Sequence, residues 1–443
     1  MREDTITAIA TPAGEGGIGI VRLSGNQAAD IGARIFRGKL RDRRAVLGQV
    51  CDPVGGDVVD EALGLLMRAP RTYTREDTVE LQAHGGPVAL QRILGLTLRE
   101  GARLAEPGEF TLRAFLNGRL DLAQAEAVLD VIQAQTEASL RFAVQGLGGR
   151  LSAQIRSIRL QLLDVLAYLS ARADFPDEDV PAHDVAPDLE SAGARLQGLI
   201  QGADYGMLYR QGTHVAIVGS PNVGKSSLMN RLLREDRAIV TAVPGTTRDT
   251  VSETINLGGL PVVLTDTAGL ETTGDAVEQL GIERSRDEIQ KSDVLLIVLE
   301  CGRDLLEDEE RLLTETASRP RVLAANKADL GDGLGPQLTR ATRVSALTGE
   351  GIEVLEREII AALTGGRVIA SDAAVVTNPR HKAALLRALE WLEHACQAIT
   401  SELPEDLASA DLRAAVDALG EITGETLTED LLDSIFRNFC IGK

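Results

Sequence analysis

Four short strings carry chemistry. The first, GSPNVGKSS from Gly219 to Ser227, has the spacing G-x-x-x-x-G-K-S. It follows the apolar run HVAIV and opens the helical run KSSLMNRLL, the strand–loop–helix context such a loop requires. Its glycines let backbone N–H groups wrap phosphates, Lys225 is placed to reach the β- and γ-phosphates, and the Ser226 hydroxyl suits Mg²⁺. Asn222, Val223, Gly224 and Ser227 complete the predicted phosphate cradle. The second string, NKAD, holds Asn326, Lys327 and Asp329 after the apolar run RVLAA. A carboxylate at Asp329 can accept both N1–H and N2–H₂ of guanine. Adenine lacks that donor pair, a mismatch worth a discrimination of about 10⁴ or more. The reading is therefore GTP, and an ATPase is opposed. The third string, Ser345, Ala346 and Leu347 after the next strand, is in the right order to support the base through backbone N–H.

The fourth string is Asp266-Thr267-Ala268-Gly269. Asp266 can hold Mg²⁺ through water, and the Gly269 N–H can meet the γ-phosphate. Between the phosphate loop and this string lies PGTTRD, Pro244 to Asp249, where a nucleotide-sensitive segment belongs. Thr247 is read as a Mg²⁺ ligand present only with the γ-phosphate; the alternative is that Thr246 and Thr247 are plain loop hydroxyls. Position 270 is leucine, which cannot orient an attacking water. The residues leave open what activates that water.

These strings need elements to position them. The chain has 443 residues, enough for several domains, with only 3% aromatic residues. Apolar strand-like runs alternate with amphipathic helices from His214 to about Gly366, the mark of a parallel α/β sheet. On either side the pattern is helical. Leu151, Ile155, Ile158, Leu162, Val165 and Leu169 recur at steps of four and three before Pro176 and Pro181 break the run. A second helix is expected over about Asp188 to Ala203. After Asn378, Leu385, Leu389, Leu392, Cys396 and Ile399 repeat the spacing. The simplest organisation is an α/β domain inserted into a helical one. The first section mixes short strands such as IGIVRLSG and DTVELQAHGG with a helix, PVALQRILGLTLREG, closed by Gly101. The expected divisions are 1–118 (N-terminal α+β), 119–211 (helical, first part), 212–366 (Ras-like P-loop α/β) and 367–443 (helical, second part).

Net charge is −20, from 46 Lys and Arg against 66 Asp and Glu. Residues 1–118 carry 15 of each sign, so the remainder holds the whole imbalance. Such a chain does not advertise nucleic-acid binding, and any RNA contact needs a local basic patch or a partner. No apolar run is long enough to span a bilayer and the N-terminus has no signal-peptide core, so the expectation is a cytoplasmic protein with no membrane role. Cys51, Cys301, Cys396 and Cys440 lack metal-ligand spacing and read as reduced thiols. The terminal CIGK fits a prenylation box badly.

The full-length pattern resembles the MnmE (TrmE) family of bacterial tRNA-modification GTPases. It does so through TPAGEGGIGIVRLSG, ELQAHGGP, PGEFTLRAFLNGRLDLAQAEAV, DFPDE, GSPNVGKSS, PGTTRD, DTAGL, NKAD and FCIGK. The resemblance implies an answer for position 270: K⁺ beside the phosphates in place of a glutamine. The ion would be held by Asn222 and by oxygens of Thr241, Val243 and Thr246, within a nucleotide-contacting loop that also includes Ala242, Pro244 and Gly245. Such a cation neutralises transition-state charge as an arginine finger does. It also implies water activation by Glu278, which by spacing alone is an ordinary solvated glutamate. Arg22, Glu80, Arg119 and Lys443 match family contacts to a tetrahydrofolate derivative, 5-formyl- or methylene-tetrahydrofolate; without the resemblance each is a surface charge. Cys440 is implied as catalytic, a structural role being the alternative. A homodimer is implied, working with the FAD protein MnmG in a heterotetramer on the wobble uridine of tRNA, with FAD on that partner only. The competing reading is a ribosome-assembly or signalling GTPase without base chemistry.

Overall fold

The computed structural model describes residues 4–174, 181, 183–235, 252–266, 289–331, 340–366, 375–401, 403–426 and 429–442. Two compact units share the chain. One comprises Met1–Leu129, Gly146–Asp188 and Glu390–Lys443; the other comprises Asp130–Gln145 and Leu189–Leu389.

The first unit holds a seven-stranded sheet ordered β3-β4-β5-β6-β2-β1-β7. Its strands are β1 (Ile6–Ile9), β2 (Gly19–Ser24), β3 (Phe36–Arg37), β4 (Ala45–Cys51), β5 (Val58–Met67), β6 (Thr78–Ala83) and β7 (Arg103–Leu104). All pairings are antiparallel except β1 with β7. Strand β2 alternates burial, with Val21 and Leu23 inside, so one face of the sheet is left for a core. Helices Ala28–Ile35 and Pro87–Arg99 cover that face, burying Ile31, Ile35, Ile93 and Leu96 against Val79 and Leu81. Each such side chain contributes about 1.5–3 kcal/mol of transfer free energy.

The helical part of this unit is built on the stripe the spacing predicts. Leu151, Ile155, Ile158, Leu162, Val165 and Leu169 are all buried along helix Arg150–Asp174. That helix packs on helix Glu405–Thr423, whose Leu412, Ala415, Val416 and Leu419 are buried, and Arg159 donates to the Val416 carbonyl at 3.3 Å. On helix Pro379–Thr400 the buried line is shifted from the leucine spacing. Ala384, Leu385, Ala388, Leu392 and Ala395 are buried, while Leu389, Cys396 and Ile399 are only partly covered.

The second unit carries a six-stranded sheet ordered β13-β12-β11-β8-β10-β9. The strands are β8 (Thr213–Val218), β9 (Ser252–Leu257), β10 (Leu260–Asp266), β11 (Val294–Glu300), β12 (Arg321–Asn326) and β13 (Thr342–Arg343). Five are parallel; β9 is an antiparallel edge strand on β10, an exception to the purely parallel expectation. A two-residue turn, Gly258-Gly259 with both φ positive, closes that hairpin and allows the reversal. Strand β11 is buried at six successive positions, as a strand covered on both faces must be. The helix expected to end at Ala203 runs on to Gln211. Gly202 and Gly206 do not stop it; at Gly206 a Cβ would lie 2.2 Å from the Val376 carbonyl, so the glycine there serves close packing. Gly212, at φ +75°, ends the helix one residue before β8.

Candidate functional site: a phosphate loop, a base motif and an N-terminal charged cluster

The phosphate loop sits between β8 and helix Lys225–Glu235. Gly219 adopts φ +153°, and a Cβ there would meet the Val298 carbonyl at 2.3 Å, so the loop must begin with glycine. Asn222 takes the left-handed conformation (φ +64°) and is exposed at the loop tip. Lys225 is buried and donates to the carbonyls of Gly219 and Ser220 at 2.7 and 3.0 Å, which closes the loop around its own ammonium. Ser226 and Ser227 are exposed at the helix start.

Strand β10 brings Asp266 to this point. The Ser226 hydroxyl donates to Asp266 Oδ2 at 2.6 Å, and Asp266 is 5% exposed. The Ser226 alcohol and the Asp266 carboxylate converge there, hard oxygen donors of the kind that suits Mg²⁺. The site therefore fits the expected cation. Thr241, Ala242, Val243, Pro244, Gly245, Thr246, Thr247, Thr267, Ala268, Gly269 and Glu278 lie outside the described residues.

The base motif sits at the ends of β12 and β13. Asn326 is 2% exposed and bridges the loops: Nδ2 donates to the Val223 carbonyl at 2.8 Å, and Oδ1 accepts from Ala346 N–H at 3.0 Å. Gly224 is packed on this bridge, since a Cβ there would lie 2.4 Å from Asn326 Nδ2. Asp329 is exposed, and the buried Ser345 hydroxyl donates to its Oδ1. Thr348 N–H donates to that same hydroxyl at 3.1 Å, which fixes its direction. Leu347 is exposed beside it. Phosphate loop, Asp266, NKAD and Ser345-Ala346-Leu347 are thus gathered at the carboxyl ends of the parallel strands, where open α/β sheets bind ligands.

Sequence reasoning missed an ion-pair chain behind Lys327. That residue has φ +64°, and its ammonium pairs with Glu300 at 2.9 Å. Glu300 also meets Arg303, whose guanidinium grips Glu309 with both arms, at 2.7 and 2.9 Å. Lys327 holds the Glu300 carboxyl below the usual range. Burial would raise Glu309, but Arg303 and the Leu306 N–H more than offset it, and the group is lowered. An acidic residue ending an otherwise apolar strand was the available signal.

The N-terminal unit gathers a second set. Arg22 and Glu80 are cross-strand partners on β2 and β6, joined at 2.9 Å and both largely covered. Arg22 also donates to the Gly442 carbonyl at 3.3 Å and lies over the Phe110 ring. The C-terminal tail is held against the sheet: a Cβ on Gly442 (φ +95°) would meet the Ile9 carbonyl at 2.5 Å. Gly108 N–H reaches the Cys440 carbonyl at 3.4 Å, and the Cys440 residue is exposed. Arg119 stacks on Tyr73, 4.7 Å from the ring centre, and donates to the Tyr73 carbonyl. Burial pushes the Tyr73 phenol up, against the lowering influence of Arg119 and Arg22. Arg22 and Arg119 are the basic groups of this set, Phe110 is a buried core residue beneath Arg22, and Lys443 lies outside the described residues. Tyr73 had no sequence signal, because a single aromatic in a loop is ordinary.

The parallel sheet, the phosphate loop and the base motif define a P-loop GTPase domain within a larger chain. Family models match on both sides of it: one described as GTP-binding protein TrmE N-terminus covers residues 5–119, and one described as MnmE helical domain covers residues 122–440. A protein named tRNA modification GTPase MnmE from Chloroflexus aurantiacus is 51% identical over 99% of this chain and 100% of its own length. One of the same name from Roseiflexus castenholzii is 48% identical over the full length of both. Among solved structures, Aquifex aeolicus Era bound to GDP·AlF4⁻ matches 40% of this chain and 66% of its own at 25% identity, with a TM-score of 0.28, too low to compare folds in detail. The chain belongs to the MnmE family and is a GTP hydrolase.

Proposed function

We propose that this enzyme couples GTP hydrolysis to modification of tRNA, at C5 of the wobble uridine, together with an FAD-bearing MnmG-type partner. The observation that carries this reading is near-half identity over the whole length to relatives named for tRNA modification, N-terminal and helical parts included. A GTPase acting only as a ribosome-assembly switch has no need of the Arg22–Glu80–Gly442 arrangement.

At the nucleotide site, Lys225 and the loop N–H groups bind the phosphates, and Asp329 reads guanine while Asn326 holds the two loops in register. Ser226, Asp266 and Thr247 would hold Mg²⁺, which supplies charge neutralisation at the β- and γ-phosphates. Asn222, Thr241, Val243 and Thr246 would hold K⁺, and Glu278 would orient the attacking water. Arg22, Glu80, Arg119 and Lys443 would bind the tetrahydrofolate derivative, and Cys440 lies on the tail that Arg22 contacts through Gly442. The four-part division at 118, 211 and 366 and the cytoplasmic homodimer belong to the same reading. Among the described residues no helix is long and apolar enough to cross a membrane.

The test is mass spectrometry of tRNA nucleosides from cells with and without the gene. A C5-modified wobble uridine should vanish on deletion, return with the intact gene and stay absent with Lys225→Ala. An unchanged nucleoside profile would overturn tRNA modification and favour the ribosome-assembly reading.

A further inference from the structure

The helical segment Asp130–Gln145 lies in the same compact unit as the six-stranded sheet. It meets that sheet at the β9–β10 turn. The Thr136 hydroxyl donates to the Gly259 carbonyl at 2.7 Å and accepts from Ser139 N–H at 3.0 Å. The Ser139 hydroxyl lies 2.7 Å from that of Thr136 and donates to the Tyr209 carbonyl at 2.6 Å. Thr136 and Ser139 are both more than nine-tenths buried. The Phe142 and Tyr209 rings pack edge to face at 4.9 Å, and Arg210 pairs with Asp130 at 2.6 Å.

Gly259 is the tip of the β9–β10 hairpin. Its N–H is held by Asn256 Oδ1 at 2.8 Å, and a Cβ on it would press on Ala138 at 3.0 Å. In the sequence, β9 follows PGTTRD and β10 leads into DTAG, so this hairpin is the link between the two nucleotide-sensitive strings. Strand β10 pairs with β9 from Leu260 to Thr265 and with β8 from Val262 to Asp266. It is a paired ribbon with Asp266, bonded to Ser226, at one end and the Thr136 anchor at the other. Seven residues at about 3.3 Å each separate them by roughly 20 Å. Strand β10 thus joins the Asp266 end to the Gly259 end directly.

We infer that Thr136 is a positioning residue that transmits the nucleotide state from the β9–β10 hairpin to the helical segment 130–145. This rests on the GTP-site reading and deepens it. From that segment the chain continues without a break, through helices Leu122–Gln133 and Glu137–Leu147, into the other unit. Covalent continuity therefore gives the signal a route out of the GTPase domain.

The experiment is hydrogen exchange of the full chain with Mg²⁺ and either GDP or a non-hydrolysable GTP analogue. Amides of residues 137–145 should exchange at rates differing by about fivefold or more between the two, the lower end of ordinary coupling. Thr136→Val should reduce that difference below about twofold, while GTP turnover stays within about twofold of the parent, and Thr136→Ser should restore it. If Thr136→Val does not fold, Ser139→Ala, which frees the neighbouring hydroxyl network, takes its place with the same expectation. Equal exchange in both nucleotides, a full difference retained without the Thr136 hydroxyl, or turnover that falls together with the difference would each overturn the inference. Lys225→Ala separates the two levels. If it still shows the nucleotide difference, the GTP-site reading itself fails.

Discussion

Asn326→Ala should weaken GDP binding far more than the loss of one side-chain contact with nucleotide would suggest. The side chain is buried, and it serves the Val223 carbonyl of the phosphate loop and the Ala346 N–H of the base-supporting loop. Alanine leaves both backbone groups without that partner. Each such loss costs about 1–3 kcal/mol. Because the loops open toward solvent, relaxation recovers part of this, and about 2–4 kcal/mol is expected overall. At 1.4 kcal/mol per decade, GDP affinity should fall by roughly 30- to 1,000-fold. The assay is titration of a fluorescent GDP analogue, with a thermal melt to confirm the fold. Asn326→Asp separates the two legs. It can still accept from Ala346 but places an acceptor against the Val223 carbonyl, so it should lose nearly as much as alanine. An Asn326→Ala protein that folds and binds GDP within about threefold of the parent would refute the bridging argument.

Other outcomes follow from the same chemistry. GTP turnover should be at least about tenfold faster in KCl than in NaCl, since a correctly sized cation supplies transition-state charge; equal rates would remove K⁺ from the mechanism. Glu278→Ala should lower kcat by about 10²-fold or more with GTP affinity nearly intact; a matching loss of affinity would make it a binding residue. Glu109 is nearly buried between Arg103 and Arg113, and its pKa is lowered: burial opposes the charge, but the two guanidinium groups and the Glu106 N–H prevail. Its stabilisation is therefore complete above the ordinary glutamate pKa of about 4.3 and lost as pH falls through the lower folded value. In acid denaturation, Glu109→Gln should lie below the parent at neutral pH and converge with it in acid; parallel curves would show no linkage. Maleimide should label Cys440 first, because it is exposed, and Cys51 and Cys301 last, because both are buried and burial also raises the Cys301 thiol pKa. Fast labelling of Cys301 would contradict its packing.

Features that depend on local order are legible in the amino-acid string. The glycine-lysine loop between a strand and a helix, the NKAD string after an apolar strand and the four-three stripe from Leu151 to Leu169 are short-range patterns, and the backbone periods that read them are fixed by geometry. The chain's membership of its family was legible for the same reason, from strings spread over its whole length. The features that folding alone settles join residues far apart in the chain. Arg22 and Glu80 become one ion pair through the register of β2 on β6, and Gly442 meets Arg22 across nearly the whole chain. Glu300 finds Lys327 because β11 lies beside β12. The edge strand β9 turns antiparallel because two glycines at positive φ permit a tight reversal, a choice that apolar periodicity does not encode. Thr136 reaches Gly259 for a similar reason: a hydroxyl's partner is set by which loop folds over it, and no spacing in the sequence carries that distance.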